Sequence, residues 1–231
     1  MKKFNNFLSS AVVSTGLLFG AYNSVTLADS VKVTGTTMSP EAIALAEKLI
    51  FQKGSFRLTQ PSQEGTTTKQ RLTQDATQKA CSALFGSPVD SDTAARVMSM
   101  ARKSIKKPAA GVKLGDWKKG EKIARSGYGF RIGHKNDDHS KREPGGNCYA
   151  CHQLDPNEIA YGTVGPSLTG YGKLRGTSDP ILNYAYDIIY NPHSLFPCTH
   201  MPRFGYNEVL TEQQISDVMA YLFNPASPVN Q

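Results

Sequence analysis

Beyond its first thirty residues this chain has no apolar run that could cross a bilayer, which needs about 20 mostly apolar residues. A stable membrane span is therefore not expected. There is no internal repeat, which excludes a solenoid or propeller. Cysteine is scarce: of the four, only Cys148 and Cys151 are close in sequence, whereas Cys81 and Cys198 lie far apart. A zinc knuckle wants a second close pair, so that class is excluded. A thioredoxin-like dithiol wants a parallel-sheet pattern around it, and none is present. Nothing before residue 111 has catalytic spacing.

What is there points to an exported, folded protein. Hydrophobic residues make up 39%, enough for a packed core. The formal net charge is +7, a balance that suits acidic partners; no nucleic-acid motif accompanies it. Lys2 and Lys3, the mostly apolar stretch Phe7 to Ala21, and the small residue Ala28 read as a secretory signal with a mature start at Asp29. Cleavage there removes two lysines and no acid, taking +7 to +5. Export makes an oxidising, periplasmic compartment the expected destination.

Three segments follow: signal 1–28, extension 29–110, and a second domain 111–231. The fold class is all-α. In the extension, Ser39-Pro40-Glu41 predicts a helix start, with Ile43, Leu45, Ala46, Leu49 and Ile50 at helical spacing. Residues 59–70 read as a loop. Thr73 to Phe85 and Thr93 to Ile105 read as two further helices, and Ala109 to Gly115 as a linker. In the second domain Asp116 caps a helix carrying Trp117, Gly120, Ile123 and Ala124. Gly127 to Gly146 reads as a polar surface loop in which His134 and His139 are expected to be solvated. Asp179 to Tyr190 is a helix. The last begins at Thr211, with Gln214 completing a capping box and Ile215, Val218, Met219 and Leu222 as its buried stripe.

The chemistry sits at Cys148-Tyr149-Ala150-Cys151-His152. Two thiols separated by two residues can be carried by one helical turn to the two vinyl groups of a haem, and the next histidine then comes under the iron as proximal ligand. One covalent haem c is the expected cofactor. For the distal position the downstream candidates are His193, Cys198, His200 and Met201. Met201 precedes Pro202, which disfavours helix at the preceding residue, and lies ten residues before Thr211. Met201 is preferred; His200 is its main rival, His193 the next. The leftover pair Cys81 and Cys198 is expected to form a disulfide.

These residues carry a resemblance. Asp116 to Ala124 resembles the first helix of class I cytochromes c. Gly146 to His152, Gly165-Pro166-Ser167-Leu168, Tyr171 to Gly176, Cys198 to Gly205, Leu210 to Ile215 and Pro225 to Asn230 are similar to SoxX, and the extension around Cys81 resembles its longer members. SoxX is the monohaem subunit of the SoxAX complex, which joins thiosulfate oxidatively to a cysteine of the SoxYZ carrier. The resemblance implies a class I cytochrome c-like haem domain preceded by a mostly helical extension, and an axial pair of His152 and Met201. It implies a Pro166 carbonyl that accepts a hydrogen bond from the His152 ring. It also implies three partners: a SoxA-like haem subunit that carries the catalysis, a SoxYZ-like carrier and a downstream cytochrome c. The departures from the commonest short pattern are the loop from Gly127 to Gly146 and the extension. The alternative is a freestanding periplasmic class I cytochrome c.

Overall fold

Helix starts in this protein are set largely by side-chain caps. The computed structural model describes residues 39–52, 58–62, 65–84, 86–130 and 138–231; the signal segment 1–28 and His134 lie outside them. Ser39 Oγ accepts the Ala42 N–H at 3.2 Å and opens α1 (Pro40–Phe51). Helix α2 (Thr68–Leu72) and helix α3 (Ala76–Ser82) each start at a reciprocal capping box, Thr67 with Gln70 and Asp75 with Gln78. Asp90 caps α4 (Ser91–Ser104) and Asp116 caps α5 (Trp117–Arg125). Then follow α6 (Tyr171–Arg175), α7 (Asp179–Tyr190) and α8 (Glu212–Phe223), the last opened by the Thr211–Gln214 box. Among the described residues there is no β-strand; one isolated bridge pairs Pro61 with Thr67.

Two expectations need correction. Thr68–Leu72 is helical although 59–70 read as a loop, and no single helix runs from Thr73 to Phe85. The physical reason is that two capping boxes lie eight residues apart: the chain leaves one helix at Thr73 and Asp75 restarts it. The third helix begins at Ser91 rather than Thr93 because Asp90 supplies the cap. The short α6 was not anticipated.

The core lies where α5 crosses α8, with α7 alongside. Ile123 and Ala124 of α5, Leu182, Ala185, Tyr186 and Ile189 of α7, and Ile215, Val218, Met219 and Leu222 of α8 are buried together. Each large side chain so buried contributes about 1.5–3 kcal/mol. Gly120 makes the crossing possible: a Cβ there would come within 1.9 Å of the Asp217 carbonyl oxygen. Asp217 is itself buried and accepts from the Asp116 N–H at 2.8 Å and from Gln213 Nε2 at 2.9 Å.

After α8 the tail folds back. Ser227 Oγ donates to the Tyr221 carbonyl, and Asn230 Nδ2 donates to the carbonyls of Leu222 and Asn224, each at 3.0 Å. Asn230 Oδ1 accepts from the Lys173 N–H at 3.1 Å, tying the tail to α6. The closing stretch Pro225 to Asn230 thus satisfies carbonyls that the helix end leaves open.

The extension is attached to this core at several points. Val97 and Ala101 of α4 are buried. Arg102 Nε donates to the Ser194 carbonyl at 3.0 Å, Asn191 Nδ2 to Ser104 Oγ at 2.9 Å, and Tyr186 OH to the Lys106 carbonyl at 3.0 Å. Lys107 pairs with Asp187. Cys81 of α3 is disulfide-bonded to Cys198, closing 117 residues of chain. In the chain-entropy account such a loop is worth about 5 kcal/mol. By contrast, α1 buries none of its residues.

Candidate haem site

The attachment motif is held by the end of α5. Gly146 N–H donates to the Ile123 carbonyl at 2.8 Å and Asn147 N–H to the Ser126 carbonyl at 3.0 Å. Asn147 takes the left-handed conformation, φ 47°, which asparagine tolerates better than most residues. The chain then enters a 3-10 turn, Cys148–Ala150. The Cys148 carbonyl accepts from both the Cys151 N–H at 3.1 Å and the His152 N–H at 2.9 Å. One turn therefore carries both thiols and the histidine.

Tyr149 points inward from this turn and locks it. Its hydroxyl shares a hydrogen bond with Tyr221 OH at 2.7 Å and accepts the Asp155 N–H at 3.2 Å. Burial, and then the hydrogen bond with Tyr149, push the Tyr221 phenol well above its ordinary value, so it stays neutral. The Arg125 guanidinium lies 4.7 Å from the Tyr149 ring centroid. It pairs with Glu158 at 2.7 Å, Glu121 at 3.1 Å and Asp155 at 3.2 Å. Burial alone would lower the Arg125 pKa; its hydrogen bonds with Glu158 and Glu121 outweigh that and raise it. Tyr149, Tyr221 and Arg125 were not singled out from sequence, although the Glu121–Arg125 spacing of four was a visible signal.

His152 Nδ1 lies 2.7 Å from the Pro166 carbonyl oxygen. A carbonyl only accepts, so Nδ1 carries the proton and Nε2 keeps its lone pair for a metal. The Gly165 N–H donates to the Cys151 carbonyl at 2.8 Å, which sets the loop against the turn. No side chain fits at Gly165: a Cβ would lie 2.2 Å from His152 Cε1.

The distal candidates separate clearly. Cys198 is in the disulfide. His193 is buried and its Nδ1 accepts the Cys198 N–H at 2.9 Å. His200 is exposed. Met201 is partly buried and packs against the core, its N–H 3.4 Å from Thr199 Oγ1. His139, expected in solvent, instead packs against the rings of Tyr128 and Phe130, with centroids at 5.2 and 4.8 Å. The two aromatic neighbours are the reason.

These residues fit a covalent haem. Cys148 and Cys151 are free thiols one turn apart, in a chain whose other two cysteines are bonded to each other. Burial pushes the Cys148 thiol up to about 12, so it is held as the protonated thiol. The neighbouring imidazole has one nitrogen engaged and the other available. Among the described residues no three or more His, Cys, Asp or Glu side chains converge as a metal cage.

Comparison with known proteins agrees with this geometry. A sequence model described as Cytochrome c matches residues 143–224. A protein of Aquifex aeolicus (strain VF5) named "Uncharacterized lipoprotein" is 42% identical over 158 residues, 68% of this chain and 73% of that protein. With their attachment turn and two thiols, residues 143–224 are a cytochrome c domain, and the chain is a c-type cytochrome with one covalent haem c.

Proposed function

We propose that this chain is the electron-accepting monohaem subunit of a periplasmic SoxAX-like complex. In this reading a SoxA-like haem subunit couples thiosulfate oxidatively to a cysteine on a SoxYZ-like carrier. The present chain takes up the electrons and passes them to a downstream cytochrome c. The haem, when bound, supplies a one-electron couple. Cys148 and Cys151 would hold it, His152 Nε2 and Met201 would serve as the iron's protein ligands, and the Pro166 carbonyl orients the His152 ring. With both ligands engaged the iron would offer thiosulfate no open position, and with Cys81 bonded to Cys198 the chain offers it no spare nucleophile.

The observation that carries this reading is the Cys81–Cys198 bond. A freestanding carrier needs no helical extension, yet here Cys81 of the extension is bonded to Cys198, in the stretch Cys198 to Gly205 that most resembles SoxX. The residues 111–231 form the haem domain in this reading. Export follows from the signal ending at Ala28. The naming of the Aquifex relative as a lipoprotein is in keeping with export, and among the described residues no helix is long and apolar enough to cross a membrane.

The test is reconstitution. The purified holoprotein is mixed with thiosulfate, the carrier protein and an electron acceptor, with and without a partner haem subunit copurified from the host. Turnover only with both subunits, lost in Met201→Ala, supports the assignment. Turnover by this chain alone, or absence of any haem-bearing partner, overturns it. A weak long-wavelength sulfur-to-iron band, lost in Met201→Ala and kept in His200→Ala, tests the axial pair separately.

A further inference from the structure

Two of the attachments between the extension and the haem domain flank Met201 in sequence. Cys198, three residues before it, is bonded to Cys81 of α3. Arg203, two residues after it, is ion-paired with Asp75, the cap of α3, at 2.7 Å. Arg203 is 6% exposed, with its guanidinium 4.6 Å from the Tyr206 ring centroid. A guanidinium that deep needs a charged partner, because desolvating an unpaired charge is costly. The partner comes from the extension. A third link acts from behind: α4 holds the short turn Pro192–Ser194 through Arg102 on the Ser194 carbonyl, and His193 in that turn accepts the Cys198 N–H. Cys198 is held at φ 60°, a conformation that a residue with a side chain keeps when its surroundings impose it.

We propose that the extension is a clamp on residues 198–203 that holds Met201 in the distal axial position, with Asp75 and Arg203 as positioning residues. The proposal rests on Met201 as the distal ligand. A distal thioether is a weak, neutral ligand, and its occupancy depends on how often its loop swings away. A loop tied on both sides to α3, and braced by α4 through His193, opens rarely. The clamp also keeps exposed His200, the adjacent and stronger ligand for oxidised iron, from taking the position. This gives the additional helices a role in the haem chemistry although they supply no ligand to it.

The experiment measures how fast imidazole displaces the distal ligand from the oxidised holoprotein, followed by loss of the sulfur-to-iron band. Asp75→Asn keeps the helix cap, since asparagine caps as well as aspartate, but removes the charge that Arg203 needs. Loss of a charge-assisted contact of this kind shifts an opening equilibrium by roughly tenfold. Displacement is therefore expected to be about tenfold faster in Asp75→Asn, and at least as fast in the Cys81→Ser/Cys198→Ser double variant. Lys107→Gln breaks a contact between the same two parts of the chain away from this loop; it should lower the thermal midpoint and leave the displacement rate unchanged. Wild-type rates in Asp75→Asn and the double variant would overturn the clamp, as would an equal acceleration in Lys107→Gln. If wild type lacks the band and Met201→Ala is spectrally silent, the axial assignment fails and the clamp with it. That outcome is distinct from a wild type with the band and unaltered displacement in the clamp variants.

Discussion

Gly165 lies against the ring of His152, so that a Cβ would meet Cε1 at 2.2 Å and Nδ1 at 2.5 Å. The peptide beside it places the Pro166 carbonyl 2.7 Å from the same Nδ1. The glycine is thus required for the hydrogen bond that fixes the imidazole.

Gly165→Ala should displace the ring and weaken that bond. The expected outcome is a several-fold lower yield of haem-bearing protein. In the fraction that matures, a less basic imidazole raises the reduction potential by on the order of tens of millivolts. Pyridine haemochrome quantitation and potentiometric titration check the two parts.

Tyr149 and Tyr221 share one hydrogen bond but are not equivalent. Tyr149→Phe strands both the Tyr221 hydroxyl and the Asp155 N–H, at about 2–3 kcal/mol. Tyr221→Phe leaves Tyr149 with its Asp155 donor and costs about 1 kcal/mol. Denaturant unfolding of the two holoproteins measures the difference; equal losses would contradict this account.

Gly120→Ala tests the α5–α8 crossing. Alanine is the better helix former by about 1 kcal/mol. Its Cβ, however, would sit 1.9 Å from the Asp217 backbone, where no flexible side chain can yield. Overpacking against backbone dominates, and a net destabilisation of about 3 kcal/mol is expected from unfolding curves.

His193 makes stability depend on pH. Burial first, then the nearby Arg203 charge, hold its pKa below the ordinary 6.5, against a smaller opposing effect of Asp75. The unfolded chain therefore binds this proton more readily. Stability is complete above pH 6.5 and falls as pH drops through 6.5 towards the lower folded value. Thermal midpoints recorded from pH 7 to just above the carboxylate range, about 4, should decline in wild type. In His193→Asn, which keeps an acceptor for the Cys198 N–H, the decline should be smaller.

Features encoded within a few residues were legible in the sequence. Cys148, Cys151 and His152 identify the attachment turn, and Thr211 with Gln214 marks the start of the last helix, because both depend on contacts one turn long. The box at Asp75 and Gln78 is equally local, but the alanines from Ala76 onward carry a helical stripe that masks the break at Thr73. Pairings between distant residues were not legible. Asp75 and Arg203 are 128 positions apart, and nothing in either neighbourhood specifies the other. Tyr149 and Tyr221, 72 positions apart, meet where the attachment turn is folded against α8, and nothing local to either specifies the other. The Cys81–Cys198 pairing was reached by a different route, since two cysteines remained once the attachment pair was assigned.

That bond also orders the protein's assembly. Four cysteines permit three pairings into two bonds, and as the chain emerges from its N-terminus Cys81 meets Cys148 and Cys151 before Cys198 exists as a partner. The native bond becomes possible only after 117 further residues have followed, including the whole attachment motif and its supporting loop. Until then every available disulfide is a wrong one that consumes a haem-attachment thiol. In an exported chain, as proposed above, maturation is therefore a race between haem ligation and premature oxidation; closure of the native bond removes Cys81 and Cys198 as wrong partners and leaves Cys148–Cys151 as the one misbridged form that still competes with haem attachment.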